Sequence, residues 1–340
     1  MEYRKLGRTG IKVSAISMGG IPVQRVDETA AEQVIEAALA AGINFFDTAR
    51  GYTDSEEKFG RVFGRNKSEA FVATKSMART RGEMAAEIER SLDGLKIPRV
   101  DLYQLHNIKD EAALEKVLRP DGALAALKEA QQQGKIGFIG ITGHIPGVLV
   151  KAVATGYFDT VQFPFNAIET AAAAELLPLA QKMNVGTIAM KPLAGGALTN
   201  AQAALRFILE HGIDTVIPGM DTVDQVRGNA VIGEPVRSMT EAERQSLMQE
   251  AAGLGERFCR RCEYCQPCPQ GIDIPTVFLL NGYYTRYDLK QWAVERYRPL
   301  PRNASHCIEC GECENRCPYE LPIREMLKES RQNLEVMPEI

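Results

Sequence analysis

The chain has 340 residues, 45% of them hydrophobic and 25% charged, with a formal net charge of −4. That length accommodates a full core and a second small domain, and the mild acidity, without basic runs interleaved with aromatics, speaks against a nucleic-acid partner. No apolar run approaches the ~20 residues of a membrane span, and the charged opening Met1-Glu2-Tyr3-Arg4-Lys5 lacks the apolar stretch of a signal peptide, so we expect neither membrane insertion nor export.

From the N-terminus, Arg8-Thr9-Gly10 lies between two short extended runs and predicts a hairpin closing the bottom of a barrel. Strand-like runs then follow at 13–18, 43–47, 70–74, 100–106, 136–142, 160–163, 185–190 and 215–218. Helical periodicity separates them, as in Met84, Ile88, Leu92 and Leu95, or Leu124, Leu127 and Gln131 before Gly134. The runs are continuously apolar, as strands buried on both faces are. Eight β–α units predict an α/β fold, a (β/α)8 TIM barrel over residues 1–238, with a doubly wound sheet as the alternative. No Gly-x-Gly-x-x-Gly follows the first strand, which disfavours a Rossmann site. Thr240 and Glu243 form a capping box opening a linking helix over 239–256.

All eight cysteines fall in the remaining domain, 257–340, as Cys259-x2-Cys262-x2-Cys265-x2-Cys268-Pro269 and Cys307-x2-Cys310-x2-Cys313-x3-Cys317-Pro318. Thiolates at i, i+3 and i+6, then a Cys-Pro, are the ligand pattern of a [4Fe–4S] cube, the last cysteine of each run serving the other cluster. The pairing expected is Cys259, Cys262 and Cys265 with Cys317, and Cys307, Cys310 and Cys313 with Cys268. A disulfide framework suits small secreted chains. Structural zinc is the more serious alternative, although three sulfurs spaced so closely match a cube better. The first run has two residues, not three, before its Cys-Pro, so Cys268 departs from the pattern. Such a cluster protein belongs in a reducing cytoplasm.

Barrel active sites are built at the C-terminal ends of the strands. Those ends carry Asp47, Tyr52 just beyond it, Lys75 and His106. Each alone reads as a cap, a loop aromatic, a solvated lysine or a core histidine. Together they make a carbonyl-reduction site. A phenol titrates near ~10 in isolation, and an adjacent ammonium lowers that value. Tyr52 would then donate the proton, Lys75 tune it, Asp47 orient Lys75, and His106 polarise the substrate carbonyl.

The segments Gly42-Ile43-Asn44-Phe45-Phe46-Asp47-Thr48-Ala49-Arg50-Gly51-Tyr52, Val72-Ala73-Thr74-Lys75 and Asp101-Leu102-Tyr103-Gln104-Leu105-His106 resemble the tetrad motifs of the aldo-keto reductases. Tyr3-Arg4-Lys5-Leu6-Gly7-Arg8-Thr9-Gly10 and Ile217-Pro218-Gly219 match that family too, so the likeness covers roughly residues 1–235. The cysteine domain, with its helical insert over 269–306, is similar to the two-cluster α-helical ferredoxin module of the family's ferredoxin-bearing branch.

The resemblance implies NADPH or NADH lying across the barrel top. It would touch Gly20, Thr142, Gln162, Met190, Lys191, Leu193 and Gly195, and after the last strand Gly219, Asp221, Thr222, Gln225 and Asn229. Three positions depart from the family pattern. Thr142-Gly143 replaces Ser-Asn, Met190 replaces a stacking aromatic, and Asp221 stands where a ribose 2′-phosphate is expected, with Arg227 close in sequence. An acidic side chain there suits a free 2′-hydroxyl.

The function expected is reduction of a small-molecule carbonyl to an alcohol, or the reverse, by NAD(P)H, with two [4Fe–4S] clusters alongside. The alternative is an iron–sulfur electron-transfer oxidoreductase whose clusters exchange electrons with the barrel site and a ferredoxin-like partner. Cubes carry single electrons and nicotinamides carry pairs, and no flavin motif bridges the two, so structural clusters are the simpler expectation.

Overall fold

The computed structural model describes residues 1–66, 70–255, 257–261, 265–317 and 319–335. Strands β1 (Tyr3–Lys5) and β2 (Lys12–Ser14) pair antiparallel with Arg4 opposite Val13. Leu6 and Val13 of this hairpin are fully buried with Phe45, Ala73, Leu102 and Ile188. They fill the barrel floor, as the hairpin expectation required.

Eight parallel strands follow in sequential order: β3 (Met18–Gly19), β4 (Phe45–Asp47), β5 (Phe71–Ser76), β6 (Val100–Leu105), β7 (Ile136–Thr142), β8 (Thr160–Pro164), β9 (Gly186–Met190) and β10 (Thr215–Val216). Bridges Ile16↔Val216 and Gly19↔Gly219 join the first of them to the last, completing a (β/α)8 barrel. The run at 13–18 is divided. Its first residues belong to the hairpin, and only Met18–Gly19 enters the barrel. At the division Ser17 Oγ meets Thr215 Oγ1 at 2.7 Å and donates to the Ser14 carbonyl at 3.0 Å, beside backbone bonds from the Ser17 N–H to the Val216 carbonyl at 2.8 Å and from the Val216 N–H to the Ala15 carbonyl at 3.0 Å.

The outer helices are α1 (Glu28–Ala40), α2 (Ser55–Phe63), α3 (Arg81–Leu95), α4 (Glu111–Leu118), α5 (Ala123–Gln132) and α6 (Pro146–Ala154). The ring continues with α7 (Leu176–Lys182), α8 (Ala201–Leu209) and α9 (Val223–Ala230). A full capping box at Thr80 and Glu83 starts α3, which turns Met84, Ile88 and Leu95 inward.

The chain divides into two compact units: Met1–Leu193 with Asn200–Arg244, and Ala194–Thr199 with Gln245–Ile340. Helix α10 (Glu241–Gly255) begins in the first, its Thr240–Glu243 box formed by bonds of 2.8 and 3.2 Å. The second unit holds α11 (Ile274–Thr285), α12 (Lys290–Tyr297), α13 (Glu312–Asn315) and α14 (Ile323–Leu334). Its core joins Ile272, Val277, Tyr297, Leu321 and Leu327 with Cys265 and Cys313. Tyr297 ties the core together, its hydroxyl accepting from the Ala304 N–H and donating to Glu335 at 2.7 Å each. No described helix is long and apolar enough to cross a membrane.

Candidate active site and cysteine pocket

Strand alternation decides which side chains meet at the barrel top. Phe46 faces outward onto the rings of Phe59 and Phe63 in α2, so its neighbours Phe45 and Asp47 face inward. By the same period Lys75 lies above Ala73, Gln104 above Leu102, and Met190 above Ile188. The apolar members form the inner core. The polar members, one pleat further on, form a layer at the C-terminal face.

In that layer Lys75 Nζ lies 2.5 Å from Asp47 Oδ2 and donates to the Thr48 carbonyl at 2.8 Å, both side chains almost wholly buried. Gln104 Nε2 donates to Asp47 Oδ1 at 3.2 Å and to Gln162 Oε1 at 2.8 Å. Burial raises the pKa of Asp47, against the opposing pull of Lys75, Gln162 and Gln104. Burial likewise lowers that of Lys75, with Asp47 and Glu56 pulling it back up. Each partner depends on the other, and removing one member of a buried pair costs about 3–5 kcal/mol.

Tyr52 lies on the loop between β4 and α2. Lys75 Nζ is 5.1 Å from its ring centroid. Its ring meets His106 edge-on, centroids 6.0 Å apart at 87°. The four tetrad candidates are thus brought together. Desolvation, then the cations Lys75, Arg79 and Lys191, hold His106 well below the usual histidine range. Its imidazole is therefore neutral at physiological pH. His106 Nδ1 and Gln104 Oε1 are buried with no hydrogen-bond partner among the described residues.

The residues expected to meet a nicotinamide cofactor sort into groups. Gln162 is in the polar layer, its Nε2 3.8 Å from Met190 Sδ. Thr142 Oγ1 is engaged in accepting from the Asn107 N–H at 2.8 Å, so it positions the loop after His106. Lys191 has a left-handed backbone, and its carbonyl accepts from Asn166 at 3.0 Å. Leu193 is half-buried, and Gly195 belongs to the second compact unit.

The first and last strand loops converge. A Cβ on Gly20 would lie 2.5 Å from the Phe59 ring and 2.9 Å from the Asp47 carbonyl, and one on Gly219 would lie 2.6 Å from Pro22. Asp221 is ion-paired with Arg25 at 2.5 Å, while Arg227 points to Asp224 at 3.8 Å. Thr222 caps α9 by accepting from the Gln225 N–H, Gln225 accepts from the Asp221 N–H, and Asn229 is buried in the helix. The glycines at this junction are required by close packing of the protein on itself, whereas the unpartnered buried atoms of His106 and Gln104 leave hydrogen-bonding capacity for an amide-bearing cofactor or a carbonyl substrate. Sequence reasoning passed over Gln104, Arg25 and Glu56. Gln104 had a signal, since an amide two residues before His106 shares its inward face.

In the second unit Cys268, Cys307, Cys310 and Cys313 line one pocket with Ile274, Ile308 and Leu327. They surround a space and do not converge on a point: no three His, Cys, Asp or Glu side chains among the described residues are placed to share one metal ion. The anomalous Cys268 is delivered by its own loop. Gln266 Nε2 donates to the Ile272 carbonyl at 3.1 Å, and Gln266 Oε1 accepts from the Cys268 N–H at 3.2 Å. Arg316, at the end of α13, donates to the carbonyls of Gln266 and Pro267 at 3.2 and 3.1 Å. Four sulfurs among apolar neighbours supply the donor set that an iron–sulfur cube takes. Burial, then the Glu314 charge, pushes the Cys313 thiol up to about 11, so a ligand role there requires the metal to displace the proton. Cys265 is buried, Cys259 and Cys317 are half-buried, and Cys262 lies outside the described residues.

A buried carboxylate–ammonium pair beneath a phenol and beside a neutral imidazole lies at the top of the (β/α)8 barrel. The sequence profile of the aldo/keto reductase family matches residues 15–203, more than half of the chain, and that of a 4Fe-4S dicluster domain matches residues 258–322. The chain belongs to the aldo/keto reductase family and carries a C-terminal 4Fe-4S dicluster domain. L-galactose dehydrogenase of Arabidopsis thaliana is 30% identical to it over 301 residues, covering 74% of this chain and 92% of that protein. L-glyceraldehyde 3-phosphate reductase of Escherichia coli is 26% identical over 280 residues, covering 73% and 74%. Aldo-keto reductase AKR11C1 from Bacillus halodurans, in its holo form, shares the fold with a TM-score of 0.65 at 22% identity, covering 74% of this chain and 96% of that one.

Proposed function

We propose that this oxidoreductase interconverts a small carbonyl compound and its alcohol using NADH or NADPH, with Asp47, Tyr52, Lys75 and His106 as the acid–base machinery. The observation that carries the reading is the buried Lys75–Asp47 pair directly beneath Tyr52, beside a neutral His106. A bound reduced nicotinamide supplies the hydride for the carbonyl carbon. The protein's own groups do the rest. His106 donates a hydrogen bond to the carbonyl oxygen from its neutral ring, and Tyr52 releases its proton to that oxygen as negative charge develops there. The Lys75 ammonium stabilises the phenolate that remains, and Asp47 holds Lys75 in place.

Gln162 is assigned to the cofactor carboxamide, and Lys191 and Leu193 to the pyrophosphate side. Gly20, Thr142, Met190 and Gly219 line the cofactor's path, while Asp221, Thr222, Gln225 and Asn229 border the adenosine end. There the Arg25–Asp221 pair offers both a cation for a 2′-phosphate and an acceptor for a 2′-hydroxyl, so both cofactors are accepted. Two [4Fe–4S] clusters, one on Cys307, Cys310, Cys313 and Cys268 and one on Cys259, Cys262, Cys265 and Cys317, brace the second unit in a reducing cytoplasm.

One observation favours a second reading for the clusters. Cys310 is exposed and its neighbour Ile308 is 62% exposed, which suits electron exchange with a ferredoxin-like protein. The primary test is NADH and NADPH oxidation by anaerobically purified protein against a panel of aldehydes and ketones. Tyr52→Phe should lower turnover by ~10²–10⁴-fold with cofactor affinity unchanged. Normal turnover in that variant refutes the assignment, and substrate reduction by reduced clusters without any nicotinamide establishes the second reading.

A further inference from the structure

Arg79 follows Lys75 in the loop leaving β5, at the same end of the barrel. Its Nη2 donates to the carbonyls of His106 and Asn107 at 2.8 and 2.9 Å, and its Nη1 to the Ala78 carbonyl at 3.4 Å. All three acceptors are neutral. No carboxylate among the described residues lies within ion-pair distance of this half-buried guanidinium, and its Nε–H has no protein acceptor and is not sealed from solvent. The nearest acids are already committed to helix starts. Asp110 accepts from the Ala113 N–H, and Glu83 accepts from the N–H groups of Arg79 and Thr80.

The loop itself is rigidly held. The Arg79 carbonyl accepts from the Ala123 N–H at 3.1 Å, and the Arg81 N–H donates to the Asp121 carbonyl at 2.8 Å. On the other side Asn107, in a left-handed conformation, is fixed by Thr142 Oγ1. A cation is thus locked against the backbone of the histidine that faces the substrate carbonyl. Stapling two carbonyls needs only a donor, and any polar side chain supplies one. A half-buried charge that Asp110 and Glu83 offset only from beyond ion-pair distance is costly, and that cost is recovered when a ligand brings the anion. Lys75 cannot serve the same end, since Asp47 already neutralises it.

We propose that Arg79 is a substrate-binding residue and that the preferred substrate is a short carbonyl compound carrying an anionic group, a carboxylate or a phosphate ester, a few atoms from the carbonyl. The inference rests on the carbonyl-reduction reading above. The anion would sit beside His106, on the remaining N–H groups of Arg79, while the carbonyl oxygen lies between Tyr52 and His106.

The test compares matched substrates on the full holoenzyme: 4-oxobutanoate against butanal, and glyceraldehyde 3-phosphate against glyceraldehyde. The charged member of at least one pair should have the higher kcat/KM, and which pair shows it tells carboxylate from phosphate. Arg79→Gln should lower kcat/KM for the charged member about 10–100-fold, mainly through KM, as loss of a charge-assisted hydrogen bond does. The loss on the neutral member should be clearly smaller than that on the charged member, and Arg79→Lys should narrow the difference between the two. Equal losses on both members would show a loop staple and overturn the proposal. No preference for either charged member overturns it while the carbonyl-reduction reading stands. Failure to reduce any carbonyl defeats that reading and this inference together.

Discussion

The barrel top and the cysteine pocket solve the same problem, gathering reactive side chains, in opposite ways. In the barrel, Asp47, Lys75 and His106 come from three different strands, and their meeting depends on the whole closed sheet. Once assembled they hold one another: the ammonium lies on the carboxylate, and two amides complete the carboxylate's shell. In the second unit, three of the four pocket cysteines fall within seven consecutive residues, and a loop running into α13 presents them. Those thiols have no comparable mutual attraction, and Cys313 resists ionisation. The barrel side chains thus hold one another through their own bonds, whereas the pocket thiols make no such bonds among themselves.

The sharpest way to break this comparison is to remove a pocket ligand. Anaerobic protein should carry close to eight iron and eight acid-labile sulfide per chain, as two cubes require. Cys313→Ser should remove about half of both and destabilise the α11–α14 core, since metal–ligand bonds supply much of a small domain's folding energy. Iron analysis and thermal unfolding report this together. Stoichiometric zinc, or a variant as stable as the parent, contradicts it.

Next in size is Lys75→Met, which strands a buried carboxylate and should cost about 3–5 kcal/mol by denaturant unfolding. Asp47→Leu added to it should recover much of that loss, because an apolar pair of similar volume needs no solvation. If the single variant is no less stable than the parent, the pair is not a pre-formed element of the site.

A smaller effect is expected at the Arg25–Asp221 pair. Asp221→Ser frees Arg25 and should shift preference toward NADPH severalfold, and Arg25→Ala should shift it toward NADH. Ratios of kcat/KM for the two cofactors measure this, and movement in the same direction for both variants rules the pair out.

The smallest concerns pH. The folded His106 pKa lies well below its unfolded value of ~6.5, so the unfolded chain binds more protons as pH falls below that point. The stability associated with a neutral His106 is present above ~6.5 and is lost as pH falls toward the folded pKa. His106→Gln should shallow the acid side of the stability–pH curve, as followed by urea midpoints between neutral pH and mild acid. An unchanged slope would mean that other groups govern it.

Much of this was readable along the chain. Alternation and strand-end position marked Asp47, Lys75 and His106, and cysteine spacing marked the pocket ligands, because both signals repeat over distances shorter than one element. The division of the 13–18 run was not readable, since Val13 and Met18 are equally apolar and only pairing tells hairpin from barrel. Arg25 with Asp221 was hidden for a different reason. The partners stand at opposite ends of the barrel sequence, and only closure between β3 and β10 makes them neighbours.

The sequence by itself determined the alternating β–α plan, the reactive residue types at the strand ends and the local thiol geometry, all set by backbone periodicity and side-chain chemistry. Tertiary structure alone decided the electrostatics. Burial placed Lys75 on Asp47 away from water and made His106 neutral, and folding gave Arg79 carbonyl partners but no ion pair among the described residues and brought Cys268 to the second run's pocket through Arg316. Charge, solvation and counter-charge depend on distances through space, and those exist only once the chain has closed on itself.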